Sequence, residues 1–114
     1  MISTVLAFAL ASAAQGAPAD NIARARKEYS ACLSGFMKKS LKEDMEETAF
    51  AGGLGPACTA QEQKFRAAVI SADTAAGLKR AAAEENAGTE VDDIRANQVE
   101  MFKDYKSTNT RPGA

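Results

Sequence analysis

The chain contains no histidine. That absence removes the commonest general base, the Ser-His and Cys-His catalytic pairs, and the commonest nitrogen ligand for zinc, copper or iron. Tryptophan is missing too, and aromatic residues make up only 6% of the sequence, which argues against a β-sandwich and for thin, alanine-rich helices packed closely. Cysteine is limited to Cys32 and Cys58, too few for a tetrahedral thiolate metal site. An excess of charge is also lacking. The 14 Lys and Arg nearly balance 15 Asp and Glu, so no global field favours nucleic acid or anionic lipid.

Charge is absent altogether from residues 1–19. Within them, Ile2 to Ala14 is an apolar run of signal-peptide length, too short to span a membrane, and Ala14-Gln15-Gly16 offers the small residues that signal peptidase requires. Cleavage before Ala17 is expected, with cuts after Ala13 or Ala14 as close competitors. The Lys or Arg that normally precedes such a run is missing, so either the signal is atypical or the start codon lies upstream of Met1. The sequence thus divides into a signal peptide at 1–16, a single helical domain at 17–106 and a polar, disordered tail at 107–114.

What is present is helical. Ile22, Ala25, Tyr29, Cys32, Leu33 and Phe36 recur at steps of three and four, one apolar face of a helix that Asp20 is placed to cap. Ser40-Leu41-Lys42-Glu43 fits a capping box. A straight helix from Cys32 to Ala49 would carry the chain roughly 25 Å away. The return from Ala49 to Cys58 spans at most about 30 Å, and a disulfide needs Cα atoms within about 7 Å. The spacing therefore predicts a break near Lys39–Ser40. Gly52-Gly53-Leu54-Gly55-Pro56 reads as a loop. It lacks the preceding strand and the Gly-Lys-Ser/Thr ending of a phosphate-binding loop. Thr59-Ala60-Gln61-Glu62 reads as a second capping box opening a helix with Phe65, Ala68, Val69, Ala72, Ala76 and Leu78 on one side. That helix is expected to pass Gly77 with mild interruption and to stop at Asn86-Ala87-Gly88. A last helix from Thr89 would use Val91, Ile94, Met101, Phe102 and Tyr105, interrupted by Gln98. The alternative is one long rod kinked at Gly88.

Candidate chemistry reduces to the cysteines. In an oxidising compartment Cys32 and Cys58 are expected to form an intramolecular disulfide, whose closed loop of roughly 25 residues would stabilise by roughly 3–4 kcal/mol in the chain-entropy model. A redox-active pair normally sits at Cys-x-x-Cys spacing, which this pair does not. Glu43, Asp44, Glu46 and Glu47 lack the alternation of a calcium loop and read as a solvated face partly paired with Lys39 and Lys42. Glu84-Glu85 and Asp92-Asp93 read the same way. Met37, Met45 and Met101 read as core rather than copper ligands. Arg24, Arg26 and Lys27 lack the interleaved aromatics of a nucleic-acid site. No metal, cofactor or catalytic residue is assigned.

The pattern Tyr29-x-x-Cys32-Leu33, followed by Cys58 with Glu62 and Phe65, resembles one seen in small exported bacterial proteins of unknown function. The resemblance covers roughly Tyr29 to Ala72. It implies a disulfide-pinned helical hairpin and an envelope location, and it implies no activity. The expectation is an all-α domain, that hairpin extended to a bundle of three to four helices, periplasmic or secreted. Its expected role is a non-catalytic interaction or structural module, meeting a protein partner or a second copy through surplus apolar face. The alternatives are a histidine-free enzyme using carboxylate or lysine chemistry and a helical protein on a membrane surface.

Overall fold

The computed structural model describes residues 17–112, so the expected signal peptide at 1–16 and its cleavage sites lie outside the described residues. The described chain is all-α, with helices α1 (Pro18–Lys42), α2 (Glu47–Ala57), α3 (Thr59–Ala75) and α4 (Arg80–Thr108). α2 and α3 follow one another with only Cys58 between them and together run antiparallel to α1. α4 then returns parallel to α1, as the pairs Arg26–Glu90, Tyr29–Arg95 and Asp44–Lys106 show. The result is an up-down-up bundle whose middle rod is broken.

Each rod contributes a seam at helical spacing. α1 buries Ala25, Tyr29, Leu33, Met37 and Ser40, and α2 buries Phe50 and Leu54. α3 adds Phe65 and Val69, and α4 adds Ala83, Ala87, Val91, Gln98 and Phe102. Side-chain size grades along the bundle. At the α2 end Phe36, Phe50 and Phe102 stack, with centroids 5.5 Å and 4.1 Å apart. At the opposite end Ala83 and Ala87 let α4 approach closely. Each fully buried Phe or Leu contributes about 1.5–3 kcal/mol relative to leaving it in water.

Several helix boundaries differ from those the sequence predicts. Ala17, not Asp20, is the N-cap of α1; Pro18 takes the first turn, where its missing N–H is harmless, and Asp20 lies inside that turn. Ser40 does not cap a helix. Its hydroxyl donates back to the carbonyl of Phe36 at 2.8 Å, which keeps it helical and buried. The break comes at Glu43–Glu46, where Asp44 adopts φ 54°. The N–H of Met45 bonds the carbonyl of Ser40 at 2.9 Å and that of Asp44 bonds Leu41, a Schellman closure. Gly77 (φ 101°) and Asn109 (φ 52°) close α3 and α4 with the same bonds, from Leu78 to Asp73 and from Thr110 to Tyr105. Gly77 is thus the stop between α3 and α4. Asn86, Ala87 and Gly88 lie inside α4, with Thr89 after them, so the helix does not stop at Gly88, and α3 and α4 are separate helices rather than one rod. Past this early end, Ala76 and Leu78 are exposed rather than packed. α4 continues through Thr108, so Ser107 and Thr108 belong to its last turn.

The glycine-rich stretch is helical. It forms the second half of α2, and close packing explains this: a Cβ at Gly53 would fall 2.7 Å from Cζ of Phe36. Without a side chain there, the Phe36 ring lies directly over the α2 backbone. Pro56, in the last turn, removes one intrahelical donor, and the helix breaks two residues later at Cys58 (φ −132°, ψ 41°).

Candidate functional site: the bridge and the polar layer around Glu62

The α2–α3 break places Cys58 against α1. Cys32 and Cys58 form a disulfide with Cα atoms 6.1 Å apart. Cys58 is buried and Cys32 half-buried. The bridge ties the middle of α1 to the hinge of the broken rod.

One turn beyond the bridge lies the most enclosed ion-paired side chain among the described residues. Glu62, on the first turn of α3, has a side chain 13% exposed and is engaged from three directions. Its Oε2 accepts from Arg66 Nε at 2.9 Å on the same helix. Its Oε1 accepts from the Arg95 guanidinium of α4 and, at 3.5 Å, from the Tyr29 hydroxyl of α1. Arg95 Nε donates in turn to the Tyr29 oxygen at 3.2 Å. Tyr29 itself is fully buried, with its ring stacked on Phe65 at 6.2 Å. The carboxylate is therefore divided between two guanidiniums, and the tyrosine both accepts and donates. Such a layer fixes the register of three helices, because a shift of one turn would strand a half-buried charge.

Local spacing explains the convergence. Arg66 follows Glu62 by one turn, and Arg95 stands between the buried positions Val91 and Gln98 of α4. α2 also borders Arg95: a Cβ at Gly55 would make ordinary contact with its Nη2 at 3.7 Å. Sequence reading takes Glu62 for half of a capping box with Thr59. Instead the Thr59 hydroxyl donates to Pro56 O at 3.4 Å, and α3 has no side-chain cap. Arg66 and Arg95 are not singled out by sequence. The available signal is a charged residue at Arg95 set into the apolar stripe of α4.

The acidic run also pairs differently from expectation. Asp44 meets Lys106 at 3.4 Å and Glu47 meets Lys103 at 3.3 Å, both on α4 rather than Lys39 or Lys42. The Glu100 carboxylate, then Glu47, hold the exposed Lys103 ammonium above the usual lysine range. Among the described residues, no group of three or more His, Cys, Asp or Glu is placed to hold a metal ion. Met37 is fully buried, and Met45 and Met101 are partly buried against the core. An open groove of about 320 Å³ runs between α1 and α4, bordered by Arg26, Glu90, Asp93, Ile94 and Asn97. No described helix is long and apolar enough to cross a membrane.

No family model, curated protein or solved structure matches this chain. The reading of its role rests on the geometry above.

Proposed function

We propose that the chain is an exported, non-catalytic structural or interaction module of the bacterial periplasm or cell exterior. The observation that carries this reading is the Cys32–Cys58 bridge, which joins the middle of α1 to the α2–α3 hinge and has one sulfur in the core. Disulfides of this structural kind persist in oxidising compartments and are rare in reducing ones. The uncharged apolar run at residues 2–14 supports the same location.

The polar layer supports a structural role. Glu62 and Tyr29 direct their oxygen atoms at the arginines and at each other, and the hydroxyl is held in the core. A partner would meet polar surface rather than surplus apolar face: Leu78, at 41%, is the exposed large hydrophobic residue among the described residues. The expected greasy docking face is not seen on them.

Cell fractionation with a thiol-reactive gel-shift reagent tests the proposal. The expected result is a processed chain in the envelope or medium that reacts only after reduction. A cytoplasmic chain with two freely reacting thiols would overturn it.

A further inference from the structure

We propose that the shared face of α1 and α4 is a self-complementary surface on which a second copy of this chain docks. α1 carries Lys27, Ala31, Ser34 and Lys38, and α4 carries Asp93, Asn97, Glu100 and Asp104. Both sets follow the spacing i, i+4, i+7, i+11, which keeps each on one side of its helix. The pairs Tyr29–Arg95, Arg26–Glu90 and Asp44–Lys106 relate the two parallel helices by offsets of 66, 64 and 62 residues. These offsets set Lys27 within about one turn of Asp93 and Lys38 within about one turn of Asp104. One face thus presents two lysines on its α1 edge and two aspartates on its α4 edge, at similar heights.

All four charged groups are exposed. Among the described residues none of them forms an ion pair within the chain. Their neighbours are already engaged, Glu90 by Arg26 at 3.5 Å and Glu100 by Lys103 at 3.3 Å. Asp93 and Asn97 border the open groove that separates α4 from α1, which places their edge toward α1 rather than on the far side of the bundle. A two-fold axis brings the lysine edge of one copy onto the aspartate edge of the other, and the reverse, in one step. The pattern is met with the axis along the helices, which sets α1 of each copy over α4 of the other; an axis across them would set lysine on lysine. In that arrangement Lys27 meets Asp93 of the second copy, Lys38 meets Asp104, and Ser34 faces Glu100. Such an interface closes on itself as a dimer rather than growing as a filament.

This inference rests on the reading of the chain as an interaction module, and it names the partner. Sedimentation equilibrium of the processed, oxidised protein tests it. A dimer is expected at low ionic strength, with the dissociation constant rising about tenfold or more as salt approaches about 0.3 M. Lys27→Glu with Lys38→Glu should give a monomer, and so should Asp93→Lys with Asp104→Lys, each with unchanged far-UV circular dichroism because the sites are exposed. Mixing the two variants should restore a dimer, since lysine then faces glutamate on one edge and aspartate on the other. A monomer at low salt, a dimer indifferent to the swaps, or a mixture that stays monomeric would each overturn the inference. An exported chain that remains monomeric would remove this partner and leave the location standing.

Discussion

Glu62 shows how one residue decides the packing of three helices. Its carboxylate draws Arg66 and Arg95 to one point and holds the Tyr29 hydroxyl in the core. Glu62→Gln removes the charge and leaves two guanidiniums facing each other, about a third exposed, so solvent screens part of the loss. Urea denaturation is expected to show a loss of about 1–2 kcal/mol. Gln98 is the opposite case. It is 5% exposed on the apolar seam of α4, and its Oε1 has no hydrogen-bond partner among the described residues. Gln98→Leu should therefore gain about 1 kcal/mol by the same assay, and a clear loss would show that the amide oxygen is satisfied in solution. The glycines of α2 form an internal contrast. At Gly52 an added Cβ meets nothing within 4 Å, whereas at Gly53 it meets the Phe36 ring at 2.7 Å. Gly52→Ala should stabilise by about 0.5–1 kcal/mol through helix propensity. Gly53→Ala should destabilise by about 1 kcal/mol, because Phe36 must leave its stack on Phe50.

Among the elements, α2 stands apart. Its eleven residues include Gly52, Gly53, Gly55 and Pro56, and the three glycines weaken it by about 3 kcal/mol relative to alanine. It persists because Phe50 and Leu54 are buried and because the bridge at Cys58 pins its end to α1. Reducing the disulfide should therefore loosen α2 first. In hydrogen exchange the amides of residues 47–57 should lose protection, while those of α3 and the middle of α4 keep most of theirs. Equal loss in all four helices would mean that the bridge holds the whole bundle and not α2 in particular. The same element has a helical state that is not legible in its sequence. Glycine and proline are local punctuation, and nothing in Gly52-Gly53-Leu54-Gly55-Pro56 announces that an aromatic ring from α1 lies over Gly53. Gly77, which reads as a mild interruption, is the stop because it takes the left-handed φ that the α3 Schellman closure requires. Ser40 and Thr59 match cap patterns, but each hydroxyl donates backward to a preceding carbonyl.

For the molecule as a whole, the legible part was the part set by periodicity and distance. The steps Ala25, Tyr29, Leu33 give the α1 seam directly, and the reach argument from Cys32 to Cys58 requires a bend before Ala49. That bend exists three residues beyond the predicted place. The polar layer was not legible, because Tyr29, Glu62 and Arg95 are joined by packing across 33 and 66 residues of chain and no local pattern links them. The charge balance that excludes a global field likewise conceals the separation of lysines on α1 from aspartates on α4, which appears only when the two helices are set side by side. The central claim is a processed chain closed by one internal bridge in an oxidising compartment. Its most direct test is the intact mass of the protein from its native host, measured without and then with reductant. The account predicts a chain that begins near Ala17 and gains two hydrogens on reduction. A full-length chain whose mass does not change on reduction would contradict both the bridge and the export.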